Sequence, residues 1–127
     1  MKGKKPDHGR GTGLAHSPEF QGLQIKGRLW IEKNGQTFLS WGRVVLLERI
    51  QETGSIAAAA RSLEMAYSHA WSLVKTMNRL AGEELVSRTL GGVRGGSAQL
   101  TFAGEKAVSQ FWELADKFGE WLQNQEY

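Results

Sequence analysis

Four glycines fall within the six residues Gly91–Gly96, and Arg94 stands among them. Such a loop suits phosphate, because glycine lets the backbone approach closely and a guanidinium supplies charge. The phosphate belongs either to a nucleotide in a pocket or to a nucleic-acid backbone. A nucleotide P-loop needs Gly, four residues, then Gly-Lys-Ser/Thr, and it opens directly into a helix. Gly91 and Gly96 have that spacing, but Ser97 stands where the lysine belongs. The following "AQLT" reads as a strand, so no helix N-terminus adds its amides. A dinucleotide fingerprint fails for the same reason and lacks a βαβ setting.

Other chemistry finds little to work with. The chain has no cysteine, which removes disulfides, thiolate catalysis and cysteine-ligated metals, and suits a cytoplasmic location. His8, His16 and His69 show no ligand spacing, so no metal or cofactor is expected. No paired carboxylates, nucleophile elbow or Ser/His/Asp arrangement supports an enzyme, and no catalytic residue is assigned. No apolar run is long enough to span a membrane, and the basic N-terminus lacks the apolar segment of a secretory signal.

A second group of residues offers binding rather than catalysis. At about 100° per residue, "YSHAWSLVKTMNRLAG" places Ala70, Leu73, Val74, Met77 and Leu80 on one side of a helix. Ser68, Ser72, Lys75 and Arg79 fall on the other. That outer row is small, polar and basic, and it contains no acid. It can lie in a DNA groove without steric or electrostatic conflict. Trp71 sits at the edge of the inward side and is read as packing against the helical core.

The elements that position these residues follow from spacing and turn chemistry. Residues 1–21 are rich in Gly, Lys and Pro and read as a flexible basic tail; residues 22–127 form one domain. "LQIKGRLWIE" alternates through Leu23, Ile25, Leu29 and Ile31, Asn34-Gly35 favours a tight turn, and "QTFLSW" returns. Ser40 or Gly42 opens a helix to about Glu52, with Val44, Leu47 and Ile50 on one face and Thr53-Gly54 ending it. Ser55 caps "IAAAARSL", whose Ile56, Ala59, Ala60 and Leu63 face inward. "EMA" then turns into the basic helix, the helix-turn-helix pattern. "ELVSR", the glycine loop and "AQLT" make a wing. From Thr101 a long helix carries an apolar stripe of Ala107, Val108, Phe111, Leu114, Ala115, Phe118, Trp121 and Leu122.

Charge follows the same division. Residues 1–104 hold 14 Lys/Arg against 8 acids, whereas residues 105–127 hold 2 against 5. A basic body with an acidic end fits a nucleic-acid face backed by a separate interaction element.

The stretch from "LLERIQETGSIAAAARSLEMAYSHAW" to "GGVRGGSAQLTFAG" resembles the N-terminal DNA-binding domain of the ModE family, molybdate-responsive bacterial regulators. The motifs are "TGSI" before the second helix, "AYSHAW" and "MNRL" in the third, and "GG-x-x-GG-x-A-x-LT-x-x-G" in the wing. The similarity runs from about Gly27 to Ala115. It implies a LysR-like winged helix-turn-helix, with Tyr67, Ser68, His69, Ser72 and Lys75 at or beside the major groove. Val93, Arg94 and the surrounding glycines would form the wing tip. The family commonly has a basic residue at the position of Ser68 and acids at those of Ser72 and Thr76, so a different target sequence is expected. Longer members continue into oxyanion-binding domains, and nothing here matches one, so direct molybdate binding is not expected.

The expected fold is therefore mainly α with small β elements: a winged helix-turn-helix with an N-terminal β-hairpin and a long C-terminal helix. The DNA-facing set is Ser55, Tyr67, Ser68, His69, Ser72, Lys75, Thr76, Arg79, Arg94 and Gly95. Phe111, Leu114, Phe118, Trp121 and Leu122 form the dimerisation stripe. The expected function is a homodimeric regulator of transcription that binds double-stranded DNA, linked to molybdenum or related oxyanion metabolism. Two other readings compete: a winged-helix module that recruits another regulator, and a small oxyanion sensor built on Arg94 and the glycine amides.

Overall fold

Asn34 and Gly35 both take positive φ, at 54° and 77°, and this turn closes the first hairpin. It joins β1 (Trp30–Lys33) to β2 (Gln36–Ser40), antiparallel, with a bulge after Ile31. The alternation further upstream forms no strand: residues 23–29 have no sheet partners, and the segment around Gly27 lies against the C-terminal helix. The computed structural model describes residues 18–89 and 96–127. His8, His16 and most of the basic tail lie outside the described residues, as do Val93, Arg94 and Gly95, expected at the wing tip. Of the tail, Pro18–Phe20 form a 3-10 turn, and the Phe20 ring meets Tyr127 edge-on at 5.3 Å.

Three capped helices follow the hairpin. Ser40 caps α1 (Trp41–Thr53) by accepting from the Arg43 amide, and Gly54 ends it in the left-handed region at φ 80°. Val44, Leu46, Leu47 and Ile50 are all fully buried in α1. Leu46 lies about 100° from Leu47, so more than one face of α1 is covered. This helix touches the hairpin, the second helix, the wing and the C-terminal helix. Ser55 caps α2 (Ile56–Ser62), in which Ala59 and Ala60 are buried. Their small side chains let α2 lie close to both neighbours. Glu64, at φ 54°, turns the chain into α3 (Tyr67–Ala81), which Gly82 ends at φ 76°.

The wing is β3 (Val86–Thr89) paired antiparallel with β4 (Ser97–Leu100). It is fastened to the helices at both strands. Asn78 of α3 accepts from the Leu85 amide at 2.7 Å and the Val86 amide at 3.3 Å. Gln51 of α1 accepts from the Leu100 amide at 2.8 Å, and Gly54 O from the Ala98 amide at 2.8 Å. Thr101 donates to Glu84 O at 2.7 Å and caps α4 (Phe102–Gln123) through the Gly104 amide. At Gly104 a Cβ would collide with the Leu85 carbonyl, so α4 starts flush against the wing.

The core is the apolar space shared by α1, α2, α3, the two strand pairs and the first turns of α4. Among the described residues no buried side-chain nitrogen or oxygen lacks a partner. The architecture is a winged helix-turn-helix with an added hairpin and a long last helix. No described helix is long and apolar enough to cross a membrane.

Candidate nucleic-acid interface

The inner side of α3 is settled by packing: Ala70, Val74, Met77 and Leu80 are buried and Leu73 is partly so. The opposite row is exposed, as the period requires: Ser68, Ser72, Lys75 and Arg79 all face solvent, and His69 lies beside them. Tyr67 opens the helix with its ring 47 % exposed. Ala66, at the cap position, makes no side-chain cap bond, so the first-turn amides of α3 are not closed off by a hydroxyl or carboxylate. No acid stands on this face of α3.

Behind the start of α3 runs a cleft of about 550 Å³ between the helices and the wing. Ser55 and Tyr67 share it with Ala57, Arg61, Arg88, Thr89 and Ser97, and its lining holds no acid. Two of these cations escaped the sequence reading. The apolar period of α2 marks only its inward residues and gives no signal for Arg61. Arg88 ends the expected strand "ELVSR", and the two-residue period puts it on the face of buried Val86. That face continues past the body and brings the Arg88 guanidinium over the Trp71 ring, 3.9 Å from its centroid. Lys75 lies 5.5 Å from the same centroid. Trp71 packs against the core as expected, and also carries cations on its free surface.

The remaining site residues differ in how free they are. The Ser55 hydroxyl accepts from the Ala58 amide at 2.9 Å, so it serves the fold of α2. Thr76 is half-buried at the edge of the exposed row. Arg79 donates to Gln36 Oε1 at 2.9 Å, and Lys33 donates to Leu80 O at 2.8 Å. The hairpin thus grips the C-terminal end of α3, leaving Tyr67 through Lys75 as its open part. Arg94 and Gly95 lie outside the described residues.

Two helices joined by a tight turn, with a strand pair behind the second, form the core of this arrangement. Residues 41–105, just over half of the chain, match the family model of bacterial regulatory helix-turn-helix proteins of the lysR family. The chain belongs to that family. By its description it is a family of regulators rather than enzymes.

Relatives of this helix-turn-helix protein include the molybdenum transport protein ModE of Azotobacter vinelandii, 42% identical over 87 residues, 68% of this chain and 32% of that one. The DNA-binding transcriptional dual regulator ModE of Escherichia coli K12 is 32% identical over 93 residues, 73% of this chain and 36% of its own. The molybdenum-pterin-binding protein MopB of Rhodobacter capsulatus is 46% identical over 69 residues, 54% of this chain and 26% of its own. The matched region is thus about a quarter to just over a third of each relative's length.

The far side of this lysR-family domain is built differently. A groove of about 760 Å³ runs between residues 27–30, the start of α1 and the second half of α4. Arg28 and Arg43 line it beside Trp30, Trp41, Phe118 and Leu122. Arg43 donates to Thr37 O at 3.0 Å, and burial lowers its pKa from the ordinary guanidinium value. The dimerisation stripe needs one correction here. Phe111 is only 1 % exposed, held in the core with its ring 5.5 Å from that of Trp112, so it has no surface to offer a partner. Phe118 and Leu122 are partly covered by the segment at Gly27, whereas Leu114 and Trp121 remain 46 % and 56 % exposed.

Proposed function

We propose that the protein is a DNA-binding regulator of transcription that presents the open part of α3 to the major groove and the wing to the flanking backbone. The observation that carries this is the exposed outer side of α3, which holds Ser68, Ser72 and Lys75 and no acid, beside a cleft whose lining includes Arg61 and Arg88 and no acid. A helix of 15 residues is about 22 Å long and fits a groove about 12 Å wide. Its N-terminal residues approach base edges in this mode of docking, which makes Tyr67, Ser68, His69 and Ser72 the candidates for sequence reading. Lys75, Arg61 and Arg88 supply phosphate contacts, joined by Arg94.

A homodimer completes the proposal. Leu114 and Trp121 are exposed on α4, and Trp30 and Trp41 are exposed at the groove; a second copy would cover these apolar residues. Charge favours that occupant: Arg28 and Arg43 line the groove, and the exposed side of α4 carries Glu113, Asp116 and Glu120. The names of the relatives point to molybdenum or related oxyanion metabolism as the setting. Direct oxyanion binding by this domain is not part of the proposal.

The test is a mobility shift with the protein's own upstream DNA. Lys75→Ala combined with Arg94→Ala is expected to weaken binding by at least about a hundredfold at moderate salt, through two lost phosphate contacts. Unchanged affinity in the double variant would remove the assigned face. Sedimentation at micromolar concentration checks the second copy: a monomer there favours the alternative, in which the apolar surface recruits a different regulator.

A further inference from the structure

Lys75 and Arg88 come from different elements, yet both lie against one indole ring, at 5.5 and 3.9 Å from its centroid. Both side chains are exposed, and among the described residues no acid pairs with either. Two cations gathered without a counter-charge repel each other, and the electron-rich face of the ring offsets part of that repulsion. The rest of Trp71 is packed against the core, which fixes the ring in place. An arginine stacked on a fixed ring has already lost much of its rotamer freedom, so it loses less on gripping an anion. Arg88 also borders the cleft whose walls offer Arg61 and the hydroxyls of Tyr67, Thr89 and Ser97. These groups all donate hydrogen bonds, and the anion they suit is a backbone phosphate.

We infer that Trp71 is a positioning residue for DNA binding: its ring holds Arg88 of the wing and Lys75 of α3 as one cationic unit, with Arg88 directed to a phosphate at the cleft. The inference rests on the DNA-binding reading above. It gives the ring a task that core packing alone does not, namely coupling the wing to the recognition helix.

The test needs no knowledge of the operator, because phosphate contacts are independent of sequence. A mixed-sequence duplex of about 30 base pairs is long enough for two copies to dock a helical turn apart and serves as the probe. Anisotropy across a salt series is compared for wild type, Trp71→Phe, Trp71→Leu, Arg88→Ala and the Trp71→Leu/Arg88→Ala pair. Arg88→Ala and Trp71→Leu are each expected to weaken binding roughly tenfold and to reduce the log–log salt slope by about one. The change of slope is the decisive readout, since an indole carries no charge and a merely structural ring would not move it. The double variant should bind no worse than the weaker single variant by more than about twofold, because both changes remove one shared interaction. Trp71→Phe should fall between wild type and Trp71→Leu, since a phenyl face attracts cations less strongly.

Thermal unfolding confirms that each variant is folded. Where Trp71→Leu is not, the slope of Trp71→Phe against that of wild type decides. An unchanged slope in the folded ring variants, or fully additive losses in the double variant, would overturn the inference. A Lys75→Ala variant that weakens binding beside an unaffected Trp71→Leu overturns this inference alone. A wild-type protein that ignores the duplex at low salt overturns the DNA reading with it.

Discussion

Helices α3 and α4 are both amphipathic, but the protein completes only one of them. The apolar side of α3 is closed by α2 and β2, with Ala70, Val74 and Met77 fully buried, and its polar side is left bare and free of acids. The 22 residues of α4 span about 33 Å, and only its first half enters the core: Gly104 and Phe111 are its buried residues. Phe118 and Leu122 are partly covered by the segment at Gly27. Beyond Phe111, Leu114 and Trp121 stay exposed, while Glu113, Asp116 and Glu120 give the outer side negative charge. The bare side of α3 therefore attracts a polyanion, whereas the outer side of α4 carries net negative charge. A chain with this polarity has a preferred way to meet a duplex before any specific contact forms.

The strongest way to break the comparison is within α4 itself. Phe111→Ala should cost about 3–5 kcal/mol in denaturant unfolding, since it empties a core position. Trp121→Glu should change stability by less than about 1 kcal/mol, as most surface substitutions do. It should nevertheless abolish the dimer in sedimentation and lower affinity for a two-half-site duplex by about a hundredfold through lost avidity. A Phe111→Ala protein as stable as wild type would return Phe111 to the partner surface. A dimeric Trp121→Glu protein would remove Trp121 from it.

Asn78 gives the next largest effect, and it sharpens the DNA-facing end. Its amide accepts from two wing amides and donates to Val86 O at 3.4 Å, fixing the wing to α3. Asn78→Ala should cost about 1–3 kcal/mol, because the Leu85 and Val86 amides lose their acceptor in a partly buried place. Asn78→Asp keeps the acceptor and should recover most of that loss. If the two variants unfold alike, the wing is held by its strand contacts with α1 instead.

Much of this was legible in residues alone, for reasons that can be named. Gly54, Ser55 and Thr101 mark helix ends because their backbone or side-chain chemistry suits caps, and each stands at one, as does Ser40 of the pair Ser40 and Gly42. Asn34-Gly35 marks a hairpin because both residues tolerate positive φ. The 3.6-residue period separated the two sides of α3. What escaped required knowledge of neighbours. Leu46 is buried because α1 is enclosed on several sides, which a single amphipathic face does not reveal. Arg88 reaches Trp71 only through pairing across the tertiary fold, and the division of the α4 stripe into buried Phe111 and exposed Trp121 depends on where the body ends. Residues 23–29 alternate like a strand but pack as a strap, since α4 rather than a strand lies beside them.

The smallest expected effect concerns the residue shared by both ends. Arg79 lies on the outer row of α3, yet its guanidinium is held by Gln36 of the hairpin. It stands 12 positions from Tyr67, about 18 Å along the helix, where a recognition helix is leaving the groove. An exposed hydrogen bond of this kind contributes about 1 kcal/mol or less, so Gln36→Ala should leave the unfolding midpoint nearly unchanged. Arg79→Ala should lower the salt slope for duplex binding by less than one full contact, whereas Lys75→Ala lowers it by about one. Gln36→Ala frees the Arg79 side chain without removing charge and should leave the slope as it is. Equal slopes for Arg79→Ala and Lys75→Ala would extend the DNA face along the whole helix, and the hairpin would then be steering a phosphate contact rather than bracing the end of α3.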